Sequence, residues 1–154
     1  MKNLKMKNIL LLSGLFLLFS PLFAQVNDAA AVKPRKNVIG LYFGMIEYNI
    51  NYERNIIQRA KSQTNLRAGF GYLTDLQVEG RTVNVTIVQM FGKNNSHLEL
   101  NLGEKYFIDK SGNDNFFLTE VYAGYRYDKQ DGRFIFRIGL SYPSFINIGI
   151  GLKL

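Results

Sequence analysis

His97 is the only histidine of the chain, and Ser96 and Glu99 stand within two residues of it. A serine hydroxyl, an imidazole and a carboxylate are the parts of a hydrolytic relay. On an extended backbone, though, neighbours one apart point to opposite faces and those two apart stand too far from each other to pass a proton. His97 therefore reads as a turn-capping or interfacial side chain at the start of a strand, and no catalysis is expected. The chain has no cysteine, which removes thiol chemistry, and a single histidine is too few for a transition-metal site, so no metal and no cofactor is expected. Gly69-Phe70-Gly71 lacks the strand-to-helix context of a dinucleotide fingerprint. Asn94-Asn95-Ser96 matches a glycosylation sequon, but in a turn Asn and Ser serve first as turn formers.

The charged residues are more informative. Glu53, Arg67, Glu99, Lys105, Glu120, Arg126 and Arg137 recur within runs that alternate polar with apolar residues, always on the polar side. Their chemistry is ion pairing, and strands must position it. The final run shows the pattern most clearly: from Ile146 to Leu154 an aliphatic residue holds every even position, and Asn, Gly or Lys every odd one. Strand side chains alternate faces with a period of two, so one face is wholly apolar and the other small or polar.

Alternation of this kind, interrupted by Gly, Asn, Asp and Pro clusters, predicts eight strands: Val38 to Met45, Tyr48 to Ile57, Gln63 to Leu73, Thr82 to Met90, His97 to Phe107, Phe116 to Asp128, Phe134 to Tyr142 and Phe145 to Leu154. Only Asn55 to Ser62 suits a brief helical turn. The apolar face runs through Leu41, Ile50, Ala68, Val85, Leu100, Ala123, Ile138 and Ile150, with Tyr and Phe mostly towards the strand ends, as in a lipid-facing band between aromatic girdles. Glu104 also points outward, near a strand end. The other face joins the seven charged residues to Asn49, Asn51, Asn84, Thr86, Asn101, Tyr122 and a series of glycines. The fold class expected is all-β, an eight-stranded antiparallel up-and-down transmembrane β-barrel, with a lumen that side chains just fill.

Hairpin register predicts contacts. A turn centred on Gly112-Asn113 sets Glu99 opposite Arg126 and Lys105 opposite Glu120, and puts Leu98 opposite Tyr127 on the other face. Between the second and third strands, the same reasoning sets Glu53 opposite Arg67.

The N-terminus supplies an address. Lys2, Lys5 and Lys7 precede an apolar run from Ile9 to Phe19, and Pro21-Leu22-Phe23-Ala24 leads into Gln25, so residues 1–24 read as a secretory signal peptide. The run falls short of the roughly 20 apolar residues of a spanning helix. Residues 25–37 form a polar periplasmic lead-in, and 38–154 the barrel domain. Setting the signal aside takes three lysines from the 19 basic residues and leaves a net charge of +4 against 12 acids. With no basic cluster denser than Lys33-Pro34-Arg35-Lys36, nucleic acid is not an expected partner.

With both termini in the periplasm, the extracellular connections are Ile46-Glu47, Thr74 to Arg81, Ile108 to Asn115 and Pro143-Ser144. All are short. Glu47, Asp75, Glu79, Asp109 and Asp114 there read as a solvated rim.

Asn51-Tyr52-Glu53-Arg54, Arg67-Ala68-Gly69-Phe70-Gly71-Tyr72, the run from Gly92 to Leu100, Gly124-Tyr125-Arg126-Tyr127 and the run from Asp131 to Gly139 resemble the short, mostly uncharacterised outer-membrane β-barrel proteins of Bacteroidetes. The resemblance spans most of the chain after residue 24. It implies an eight-stranded barrel in the outer membrane of that Gram-negative lineage, and it carries over no catalytic or ligand residue. The chain departs from the pattern by ending in Leu154 where many barrels end in Phe, and by its short loops.

The function expected is an outer-membrane barrel with a filled lumen and a structural or interaction role. Its partners are outer-membrane lipids and, through the C-terminal strand, the barrel-assembly machinery, with any small-molecule ligand unknown. Two alternatives are a soluble exported lipocalin-like barrel, whose aliphatic face would line a ligand cavity, and a narrow solute channel.

Overall fold

Period-two alternation builds strands in the computed structural model, which describes residues 37–59, 61–75, 78–93, 95–110, 115–129 and 132–154. These are β1 (Asn37–Gly44), β2 (Glu47–Gln58), β3 (Ser62–Thr74), β4 (Glu79–Lys93), β5 (Ser96–Asp109), β6 (Phe116–Asp128), β7 (Phe134–Tyr142) and β8 (Phe145–Lys153). Each pairs antiparallel with the next, and β1 pairs with β8, so the sheet closes into an eight-stranded up-and-down barrel. Closure gives every strand a hydrogen-bonded neighbour on both sides. The expected signal peptide, residues 25–36 of the lead-in and the loop tip at 111–114 lie outside the described residues; Asn37 already belongs to β1.

Most strand ends differ by a residue or two from the reading of the sequence, and two differences are larger. Of the stretch Asn55 to Ser62, which by sequence could make a brief helical turn, Asn55 to Gln58 continue β2, with a bulge between Asn55 and Ile57 that absorbs the extra residue. β4 runs three residues further at each end than expected, because β5 offers it backbone partners from Gly80↔Asp109 to Lys93↔Ser96. Gly80 and Gly92, outside the expected strand, are held inside that ladder.

Register follows the expectation between β2 and β3, where Glu53 faces Arg67. Between β5 and β6 it is displaced by two residues: Glu99 faces Gly124, His97 faces Arg126, and Lys105 faces Leu118. An even displacement preserves both faces. It also brings tilted aromatic pairs together near the loop, with Phe107 and Phe116 ring centroids 4.9 Å apart and Tyr106 and Phe117 4.7 Å apart, contacts that the other register would replace with Phe107 beside Leu118.

The strands are strongly staggered. Stepping across paired neighbours from Asn37, the first residue of β1, leads through Arg54, Leu66, Ile87, Leu102 and Val121 to Tyr142, the last residue of β7. Residues at one height along the barrel therefore come from different depths of their strands, the geometry that closure demands.

Burial is inverted relative to a water-soluble domain. Ile150 is 53 % exposed while Glu99 is 0 % exposed. The outer face presents Leu41, Ile50, Val85, Leu100, Val121, Ile138 and Ile148 at mid-strand. Tyr52, Tyr125, Tyr127, Phe134 and Phe136 ring the lower end, which carries the start of β1 and the end of β8; Phe43, Tyr48, Phe117, Tyr142 and Phe145 ring the upper end. Outward charges keep to the ends: Arg54 below, Arg81 and the half-buried Glu104 above.

Candidate functional site: the charged lumen

Seven inward residues were expected from sequence to form a lumen charge network, and the stagger decides how they meet. Five gather around two carboxylates. Glu53 of β2 accepts from Arg67 Nη2 at 2.7 Å, Arg126 Nη1 at 2.6 Å, Arg137 Nη2 at 3.3 Å and Asn65 Nδ2 at 2.7 Å. Glu99 of β5 accepts from Arg67 Nη2 at 2.8 Å, Arg137 Nη1 at 3.0 Å, Arg126 Nη1 at 3.5 Å and Asn101 Nδ2 at 2.9 Å. All five charged side chains are at most 5 % exposed. Glu99 and Arg126 thus touch as diagonal neighbours on adjacent strands, although they are not direct cross-strand partners. Arginine spans such a gap because its guanidinium sits at the end of a long stem and presents five donors in one plane.

The remaining two expected residues belong to a second cluster, nearer the upper end. Lys105 pairs with Glu47 and stands 3.8 Å from Glu120 Oε2, which accepts from Asn84 Nδ2 at 3.1 Å. Glu47 also accepts from Ser144 Oγ at 2.8 Å, Thr82 Oγ1 at 3.2 Å and Asn49 Nδ2 at 3.4 Å. Glu47 was expected on the solvated rim. It is buried instead, as the first residue of β2, because it shares parity with Asn49, Asn51 and Glu53. Together Glu47, Lys105 and Ser144 close the upper end of the lumen. At the lower end Asp128 pairs with Lys153 and lies 3.4 Å from Arg126.

Two inward tyrosines complete the filling. The Tyr42 ring lies 4.4 Å from the Arg137 guanidinium and 5.0 Å from that of Arg67, a double cation–π contact on the arginine cluster. Tyr122 lies over the facing glycines Gly124 and Gly139. A polar cavity of about 10 Å³ remains among Asn51, Asn84, Asn101, Tyr122 and Asn147, at the lower limit for one water molecule. Among the described residues, the buried Oδ1 atoms of Asn51, Asn101 and Asn147 and the Tyr122 hydroxyl have no protein partner, which suits such a water.

No family model and no curated protein matches this chain. Among solved structures, the Yersinia pestis outer membrane protein Ail in a phospholipid bilayer nanodisc superposes with a TM-score of 0.52 at 11 % identity, covering 78 % of this chain and 98 % of that one. A de novo designed transmembrane β-barrel gives 0.51 at 12 % identity, covering 80 % and 98 %. These likenesses are of fold, the closed antiparallel eight-stranded barrel.

The residues considered for hydrolysis are kept apart. Ser96 is exposed and its hydroxyl meets that of Tyr125 at 2.9 Å; His97 is buried on the opposite face, and Glu99 is engaged by three arginines. Among the described residues, no group of three or more His, Cys, Asp or Glu is placed to hold a metal ion.

Sequence reading omitted Tyr42, Glu47, Asp128 and Lys153 from the lumen. Strand parity was the signal that marks each of them: Tyr42 lies two residues from Gly40 and Glu47 two from Asn49, while Asp128 and Lys153 follow Arg126 and Gly151 at the same interval.

The packing predicts a sharp constraint on the glycines. A side chain at Gly139 would come within 2.5 Å of the Ala123 carbonyl oxygen, 2.6 Å of Gly124 Cα and 2.8 Å of Tyr122 Cζ. Gly139→Ser is therefore expected to destabilise the barrel by about 1 to 3 kcal/mol, measured as a shift in urea unfolding of the refolded protein. Unchanged stability would mean that Tyr122 does not pack there.

Proposed function

We propose that this chain is an integral outer-membrane barrel with a structural or interaction role, a lumen sealed by its own side chains, and no catalytic function. The observation that carries the reading is the inversion of the two faces: an aliphatic band flanked by aromatic rings is exposed all round, while the lumen ion pairs are buried. In water that band would be an aggregation surface far larger than a soluble monomer tolerates; in a bilayer it is the solvated face. The lipocalin-like alternative needs the aliphatic face inside, the reverse of what is observed. Against a channel stand the Glu53/Glu99 cluster, the Glu47–Lys105 closure above it and a cavity of about 10 Å³. The resemblance to the short Bacteroidetes barrels supports that lineage's outer membrane as the location. The lower end would then face the periplasm and the upper end the exterior, with β8 the strand offered to the assembly machinery.

The test uses the full chain refolded into lipid. Unboiled protein is expected to run apart from boiled protein in SDS gels, because a closed hydrogen-bonded cylinder resists SDS until heated, and the same preparation is expected to give no discrete conductance steps in a planar bilayer. Full solubility without detergent and no gel shift would overturn the membrane reading. Regular conductance steps from folded protein would overturn the sealed lumen and leave a channel.

A further inference from the structure

Charge on the outside of the barrel is divided by end. At the lower end Arg54, Lys61, Lys129 and Arg133 are exposed, and none of the four makes an ion pair among the described residues. Asp128, at the same end, is turned inward and held by Lys153 and Arg126. Asp131 belongs to the same turn as Lys129 by sequence and lies outside the described residues. At the upper end, among the described residues, Asp75, Glu79, Glu104 and Asp109 outnumber Arg81 and Lys110, and Lys110 is paired with Glu79 at 3.1 Å.

The lower basic groups are placed relative to the aromatic ring. Arg54 follows Tyr52 by two residues and Lys129 follows Tyr127 by two, and Arg133 precedes Phe134 directly. A step of two residues keeps a side chain on the same face and moves it roughly 6 to 7 Å along the strand. Tyrosine and phenylalanine rings mark the depth of the membrane–water boundary. One pleat beyond that boundary is the headgroup layer, and Lys61, in the turn between β2 and β3, stands at the same end.

We infer that Arg54, Lys61, Lys129 and Arg133 form a basic collar that binds the phosphodiester headgroups of anionic phospholipids in the leaflet at the terminus-bearing end. The inference rests on the membrane reading above. Arginine and lysine donate charge-assisted hydrogen bonds to phosphate oxygens, and a ring of them beside an apolar wall fits a lipid whose chains lie on that wall. The acidic upper end offers no such site, so the binding is one-sided.

The experiment refolds the full chain into phosphatidylcholine vesicles doped with spin-labelled phosphatidylglycerol or spin-labelled phosphatidylcholine, and reads the immobilised fraction at the protein surface. Labelled phosphatidylglycerol is expected to be enriched about fivefold at low salt, the factor that one basic side chain near an anionic surface supplies, and to fall towards parity at high salt. The R54Q/K61Q/K129Q/R133Q variant is expected to show parity at both salt concentrations while keeping the heat-dependent gel shift. Parity in inserted wild-type protein, or enrichment retained by the quadruple variant, would overturn the collar and leave the membrane reading standing. Failure of the wild type to insert into either vesicle would overturn the membrane reading and the collar with it. Collar-dependent pelleting with isolated peptidoglycan, alongside lipid parity, would assign the four residues to an anionic wall polymer and overturn the lipid proposal.

Discussion

Glu53→Gln is expected to be the most damaging single change in the lumen, at about 3 to 5 kcal/mol of lost stability. Glu53 accepts from Arg67, Arg126 and Arg137 and from Asn65. Without its charge, three guanidiniums face the single carboxylate of Glu99. Arg126→Met is expected to cost less, because Glu53 and Glu99 then face Arg67 and Arg137 in balance, and Arg126 already shares Asp128. The double variant Glu53→Gln/Arg126→Met restores the charge difference of the wild type and should recover part of the loss, a coupling of roughly 0.5 to 3 kcal/mol. Equilibrium unfolding in urea from lipid vesicles reads all three. Additive losses would contradict a dry, mutually dependent cluster and indicate that water screens the lumen.

On the outer wall the largest effect belongs to positions inside the band rather than at its rim. Ile150, which lies between Leu41 and Phe136 on the neighbouring strands, is 53 % exposed. Ile150→Arg should cost about 2 to 4 kcal/mol, against roughly 0 to 1 for Phe134→Arg at the lower ring, because the penalty for a basic side chain falls with distance from the bilayer midplane. Both sites are outward and apolar, so only depth in lipid separates them. Equal costs, read from unfolding midpoints in vesicles, would mean that no bilayer surrounds the band.

Much of this was legible in the sequence, for a physical reason. The number of strands and the assignment of faces depend only on parity, and parity survives any error of two residues. The β5–β6 register shows the limit. Glu99 opposite Arg126 and Lys105 opposite Glu120 looked like paired charges, yet the observed ladder is displaced by two, and aromatic contacts at Phe107 and Phe116 fit the displaced alignment. Those charges still share the lumen because the displacement keeps them inward. What the sequence did not show is which acid meets which base, since that depends on strand stagger and on long side chains crossing between non-adjacent strands, as Arg126 does to reach Glu53. Glu47 was misplaced on the rim because Ile46-Glu47 read as a loop, whereas the turn is tight enough to keep Glu47 in β2.

The chain contains no tryptophan, so one introduced residue reports its own surroundings without background. Single-tryptophan variants Ile150→Trp on the outer face and Tyr122→Trp in the lumen, each refolded into vesicles of brominated phosphatidylcholine, test the inverted barrel most directly. Bromine on the acyl chains should strongly quench the tryptophan at position 150 and leave the one at position 122 nearly unquenched. Strong quenching at 122 with none at 150 would reverse the faces, and absence of quenching at both would remove the barrel from the bilayer.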